Sequence, residues 1–112
     1  MLAKTHRLTR AEFSAVFARP HKRQHTAEYS LYCTTSLDFK VAVVVGKKVA
    51  KEAVVRNRLR REVYGALQHQ FRSTPEITGA YLIILKPPYG KHTKSERQTI
   101  IKSLLAQITR VR

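Results

Sequence analysis

Val41–Phe71 reads VAVVVGKKVAKEAVVRNRLRREVYGALQHQF and decides the fold. It opens on a continuous apolar run, Val41–Val45, rich in β-branched residues and bounded by Gly46. That composition and length predict a buried strand. From about Ala53 to Phe71 the pattern changes period. Val55, Leu59, Val63, Ala66 and Leu67 fall on one stripe at about 100° per residue, so this segment is a helix with one face for a core. Ser73-Thr74-Pro75 closes it. A second apolar run follows, AYLIIL at Ala80–Leu85. Strand, helix, strand implies a parallel pair joined by a crossover.

Outward from this unit, Tyr29, Leu31 and Cys33 alternate with Ser30, Tyr32 and Thr34, the period of a strand. One face is apolar. The other carries an aromatic, Tyr32. Ser36–Phe39 reads as a turn, and residues 21–27 (HKRQHTA) as an edge strand or a loop. Thr9 followed three residues later by Glu12 predicts a capped helix through about Val16, with Phe13, Val16 and Phe17 on one face and Pro20 ending the segment. Residues 1–7 read as a flexible basic arm. Pro87-Pro88-Tyr89-Gly90 reads as a loop, and residues 94–110 as a final helix with Ile100, Ile101, Leu104, Leu105 and Ile108 as its stripe. The expected order is α-β-β-β-α-β-α. This is an α+β sandwich with a single mixed four-stranded sheet packed by helices. At 112 residues it forms one domain.

The central helix carries an unusual charge pattern. Lys47–Arg61 holds seven basic residues, Lys47, Lys48, Lys51, Arg56, Arg58, Arg60 and Arg61, against one acid, Glu52. An ordinary solvated helix mixes signs so that acids pair with bases. Four nearly unpaired arginines repel one another unless anions lie between them, and a guanidinium fork suits phosphate oxygens. Asn57, Arg60, Arg61 and Tyr64 are expected to project away from the core, with Arg56 and Arg58 at its flanks. Asn57 either bridges a phosphate to the backbone or braces the helix start. Gly65 costs about 1 kcal/mol relative to alanine inside a helix, which predicts close backbone packing there.

Composition points the same way. Lys and Arg total 22, Asp and Glu total 7, and the net charge is +15. Such a chain favours a polyanionic partner, with nucleic acid first because each neutralised phosphate releases a counterion. No apolar run approaches the roughly 18 residues of a spanning helix, no signal peptide is visible at Met1–Arg10, and no membrane partner is expected. Cys33 is the single cysteine, so neither an intrachain disulfide nor a cysteine-based zinc site is available. A small buried thiol and a cytoplasmic location are expected.

The stretch Gly46–Glu62 resembles the signature of the ribonuclease P protein family. There a strand ends in a small residue and two lysines, and a short connection leads to an arginine-asparagine-arginine helix. The connection Val49–Val55 shows Ala50, Lys51 and Glu52 where many members have a glycine-asparagine pair. Leu8–Phe17 looks like the family's first helix, Tyr29–Tyr32 like its central strand, and Tyr81–Pro87 like its last strand and exit. The resemblance covers nearly the whole chain. It implies the RNA-binding subunit of a ribonucleoprotein endonuclease that removes the 5′ leader from precursor tRNA. In that family the catalytic RNA and its Mg2+ do the chemistry, and the protein alone binds no cofactor. By the same resemblance Arg56, Asn57, Arg58, Arg60 and Arg61 meet the catalytic RNA, and Phe13, Phe17 and Tyr32 line a groove for the single-stranded leader. Exposed aromatics beside positive charge stack bases without sequence preference. Core packing is the bland alternative for the two phenylalanines. Nearly all parallel crossovers are right-handed; the family is known for a left-handed one, and only the resemblance carries that expectation. The free protein is expected to be a monomer.

An autonomous nuclease needs paired carboxylates or a histidine pair. The seven acids are scattered. Of five histidines only His21 and His25 are close, and surface RNA contact or simple exposure accounts for them. No catalytic residues are assigned. Two other classes share the charge. A ribosomal or other structural RNA-binding protein should lack the arginine helix paired with an aromatic cleft. A helix-turn-helix DNA regulator needs a short helix before the basic one, where a β-run sits instead.

Overall fold

A computed structural model describes residues 6–110. The elements are α1 (Arg10–Ala18), β1 (Lys22–His25), β2 (Tyr29–Thr34), β3 (Phe39–Val45), α2 (Ala53–Ser73), β4 (Gly79–Leu85), α3 (Pro87–Lys91) and α4 (Lys94–Arg110). The four strands form one sheet in the order β1-β2-β4-β3. β1 and β2 pair antiparallel, as do β2 and β4, whereas β3 and β4 are parallel and joined through α2. This is the expected mixed sheet packed by helices.

Register assigns the two faces. Leu31 lies opposite Ile83 and Cys33 opposite Tyr81; Val41 and Val43 align with the same two residues from the other side. With Tyr29, Val45 and Leu85 they form the face buried under α2 and α4, where Leu59, Val63, Leu67, Ile101, Leu104 and Ile108 complete the core. Truncating Leu59 or Leu67 to alanine here would cost about 2–5 kcal/mol. The opposite face carries Ala80 and Leu82. It packs on Val16 of α1, with Phe13, Tyr32, Ala42, Val44 and Ile84 only partly covered.

α1 starts where the sequence signals it. The Thr9 N–H donates to Glu12 Oε1 at 2.9 Å, and the Glu12 N–H donates to Thr9 Oγ1 at 3.2 Å. The same reciprocal cap recurs between Thr93 and Glu96 at the start of α4. Residues 21–27 contribute a true edge strand, β1.

Several expectations are corrected. Of the arm at residues 1–7, the first five lie outside the described residues. His6 and Arg7 are docked: His6 Nδ1 lies 2.9 Å from the Phe39 carbonyl oxygen, and Arg7 bridges to Val41 in parallel. The Leu8 N–H then donates to the Val41 carbonyl at 3.2 Å, so these residues cover the open edge of β3. Phe39 is no turn residue but the buried start of β3, stacked on Phe71 with ring centroids 5.1 Å apart. Residues 87–91 form a short helix, not a loop. Proline at its first positions gives up N–H groups that a helix start leaves free anyway. Tyr89 on this helix is fully buried, which anchors it.

Tyr64 does not project outward. It is buried, and its hydroxyl accepts a hydrogen bond from the Val43 N–H at 3.1 Å, on the unpaired side of β3. The helical period placed it off the main stripe, but a tyrosine is long enough to reach back to the sheet edge. Gly65 is exposed, and a Cβ there would meet nothing within 4 Å, so close packing does not explain it. The close approach is at Gly90 instead, where a Cβ would lie 2.5 Å from the Val49 carbonyl oxygen. α3 therefore packs backbone to backbone against the connection that precedes α2.

Candidate nucleic-acid interface

The basic connection begins where β3 leaves the sheet. The Gly46 carbonyl accepts from the Val49 and Ala50 N–H groups at 3.1 and 3.4 Å, which turns the chain and leaves Lys47 and Lys48 exposed. Lys51 is exposed as well. Arg56 reaches back from the first turn of α2, and its Nη1 donates to the carbonyls of Ala50 and Lys51 at 3.0 and 2.7 Å. Its position at the flank of the core stripe makes this reach possible. The result differs from a freely solvated guanidinium, because Arg56 holds the lysine-bearing connection against the helix.

Asn57 is a brace: its Oδ1 accepts from Arg60 Nη1 at 2.7 Å. With Arg61 and the edge of Tyr64 these two residues line a shallow cleft of about 190 Å³. Glu62 is the acid nearest the arginines, and α4 occupies it. Arg97 Nε and Nη2 donate to its two carboxylate oxygens at 2.9 and 3.0 Å. Arg58, Arg60 and Arg61 therefore have no acidic partner among the described residues. At the start of α2, Glu52 makes no side-chain hydrogen bond to the first-turn N–H groups. The positive end of the helix dipole adds to the potential of the basic side chains. The structure thus gathers Lys47, Lys48, Lys51, Arg56, Asn57, Arg58, Arg60 and Arg61 along one connection and the helix it enters.

The second site lies on the other face of the sheet. Tyr32 is half-buried, and Phe17 of α1, at 52% exposure, leans over it with ring centroids 5.5 Å apart. Phe13 is half-buried against the small core beneath α1. It is both core and wall, whereas Phe17 is almost wholly wall. A third ring completes the row. His25 of β1 meets Tyr32 edge to face at 5.6 Å, and its Nδ1 lies 2.8 Å from Ser30 Oγ. Sequence reading assigns His25 only surface RNA contact or simple exposure, and its strand neighbour Arg23 no role. The alternation within KRQH was the available signal, because a strand there sends Arg23 and His25 to one face.

Cys33 is buried with its Sγ toward the Lys22 carbonyl at 3.5 Å, and burial pushes the thiol above its ordinary range. It is a core residue of low nucleophilicity. Among the described residues no three histidine, cysteine or carboxylate side chains are grouped as metal ligands. No helix among them is long and apolar enough to cross a membrane.

Comparison with known proteins gives the arrangement a lineage. Over 97% of its length the chain is 32% identical to the ribonuclease P protein component of Chromobacterium violaceum, covering 90% of that protein. Its fold superposes on the RNase P protein of Staphylococcus aureus with a TM-score of 0.74, at 20% identity over 96% of this chain and 98% of that one. The RNase P protein of Thermotoga maritima gives a TM-score of 0.70 at 20% identity, covering 95% and 97% of the two chains. The model of the ribonuclease P family matches residues 2–109, and the chain belongs to that family.

Proposed function

We propose that this chain is the RNA-binding subunit of a ribonuclease P ribonucleoprotein and aids removal of the 5′ leader from precursor tRNA. The observation behind the reading is a pairing on one small sheet. An arginine helix whose one acid, Glu62, is taken by Arg97 lies on one face, and a partly exposed cluster of aromatic rings lies on the other. A structural RNA-binding protein needs only the first.

In this reading α2 and the Lys47–Lys51 connection bind the catalytic RNA. Arg58, Arg60 and Arg61 offer guanidinium forks to phosphate oxygens. Arg56 holds the connection in register, and Asn57 fixes the direction of Arg60. Phe17 and Tyr32, with Phe13 behind them, stack unpaired leader bases without sequence preference. The hydrolytic step belongs to the catalytic RNA and its Mg2+, and the protein contributes binding and placement of the substrate. The protein works in the cytoplasm and is a monomer when free.

The test is cleavage of a precursor tRNA by a bacterial ribonuclease P RNA at low magnesium, with and without this protein. The protein should restore cleavage under conditions in which the RNA alone is nearly inactive, and the protein alone should cleave nothing. No stimulation would reject the reading in favour of a structural RNA-binding role. Cleavage by nuclease-treated protein alone would place the chemistry in the protein.

A further inference from the structure

Beyond the aromatic floor, the groove has a second wall made by the edge strand. β1 pairs with β2 so that Arg23 lies opposite Tyr32 and His25 opposite Ser30. Cross-strand partners share a face. Both side chains therefore stand on the side of the sheet that carries the groove, while Lys22 and Gln24, opposite Cys33 and Leu31, stand on the other. Arg23 and His25 are exposed. Arg23 has no acidic partner among the described residues. His25 is held in place by its ring contact with Tyr32 and by the hydrogen bond to Ser30.

That hydrogen bond ties Nδ1 to Ser30 and leaves Nε2 for other partners. Ser30 is buried, and its hydroxyl has no other partner among the described residues. A neutral His25 whose Nδ1 accepts the serine proton carries its own proton on Nε2. A charged imidazolium carries one there as well. In these two states Nε2 is a donor; in the other neutral tautomer Nδ1–H donates to Ser30 Oγ and Nε2 is an acceptor. Charge on an edge strand also guards against pairing with another chain. That accounts for Lys22 and Arg23 in general, but not for a histidine tied to Ser30 and seated on Tyr32.

We propose that Arg23 and His25 bind the phosphates of the single-stranded leader, so that β1 holds the backbone while Phe17 and Tyr32 stack the bases. Basic and polar side chains on the edge strand beside a cluster of tilted aromatic rings suit a single strand. This inference rests on the leader-groove reading above and adds the polarity of the strand's seating: bases toward α1, phosphates toward the sheet edge.

The experiment uses the holoenzyme reconstituted with a bacterial ribonuclease P RNA. Dissociation constants are measured for precursor tRNA with a leader and for mature tRNA, across a salt series. The variants are Arg23→Gln, His25→Gln and, as the marker for the groove, Tyr32→Ala. Thermal melts check that each is folded. Arg23→Gln and His25→Gln should each weaken leader-bearing tRNA by roughly three- to ten-fold at low salt and leave mature tRNA unchanged. Losing the Arg23 phosphate contact, which carries a full positive charge, should flatten the salt slope by about 0.7. A methylphosphonate scan of the leader adds a second reading. At the contacted position the wild type should lose what the variant has lost, and the variant should lose nothing further.

If Tyr32→Ala impairs leader binding while both β1 variants keep wild-type affinity and slope, this proposal fails and the groove reading stands. If none of the three discriminates leader from mature tRNA, the groove reading itself fails and this one with it. Equal losses for both tRNA forms would assign β1 to a different RNA surface and also reject the proposal.

Discussion

Arg97 of α4 grips Glu62 of α2 through two parallel hydrogen bonds, Nε to Oε1 at 2.9 Å and Nη2 to Oε2 at 3.0 Å, while its Nη1 donates to the His92 carbonyl at 2.8 Å. The carboxylate holds the guanidinium above its ordinary range. This pair fastens α4 to α2 and keeps the acid away from the arginines one turn back. Arg97→Ala strands a half-buried carboxylate and should cost about 1–3 kcal/mol in urea unfolding. The Glu62→Ala/Arg97→Ala double variant should cost less than the sum of the single variants, because neither charge is then left alone.

Arg58→Ala and Arg61→Ala should leave stability within about 0.5 kcal/mol of wild type, since both are exposed and unpaired. Each should weaken catalytic RNA binding and flatten its salt dependence by roughly one unit of slope. Arg56→Ala should differ in kind. It breaks two hydrogen bonds to the connection, so it should also increase hydrogen exchange at residues 48–51. Salt-dependent affinity and native-state exchange, measured on the same three variants, separate the two behaviours.

Tyr32→Ala should weaken precursor tRNA by about 1–3 kcal/mol, the value of one stacked base. Mature tRNA should be nearly indifferent. Tyr32→Phe keeps the ring and should retain most of the affinity. Equal losses for both tRNA forms in the holoenzyme would assign Tyr32 to support of the fold.

Tyr64→Phe removes only an oxygen, yet it deprives the buried Val43 N–H of its acceptor. The expected cost is about 1–3 kcal/mol. Urea unfolding measures it, and faster exchange of the Val43 amide would trace it to the sheet edge.

Glu12 sets an acid limit. Its hydrogen bond with Lys40, aided by the Thr9 cap, lowers the carboxyl from 4.5 to about 2. A folded-state value below the unfolded one contributes stability above pH 4.5 that is lost as pH falls toward 2. Thermal melts of wild type and Glu12→Gln should therefore differ at pH 6 and converge as the pH is lowered through that interval.

Much of this architecture was legible in the sequence. The period-two run at Tyr29–Thr34, the two apolar strands and the stripe Val55–Leu67 settle the sheet and its main helix, because burial enforces those periods. The cap at Thr9 and Glu12 was readable because its partners are three residues apart. What escaped depends on long-range contact. Tyr64 looks solvent-facing by helical angle until the edge of β3 supplies its partner. Pro87–Lys91 carries turn residues, and only the burial of Tyr89 makes it a helix. The cationic face appears in the sequence as a run of nearly unpaired arginines, but the fate of the one acid on their helix does not. Glu62 lies among them, and its removal by Arg97 joins residues 35 positions apart. Likewise Phe17 and Tyr32 could be named singly, whereas the third ring, His25, appears only once β1 is paired with β2.

Both borders of the sheet are guarded against further strands. Leu8 and Tyr64 take hydrogen-bonding positions along β3, and the β1 border carries Lys22, Arg23 and His25. A four-stranded sheet with a free border is a template for polymerisation, the more so in a concentrated cell. This protein must be synthesised before it meets its RNA, and in that interval the only cover for its sheet is its own chain. Deleting residues 1–8 should therefore shorten the shelf life of the RNA-free protein, with light scattering rising over time at a concentration where the full chain stays clear.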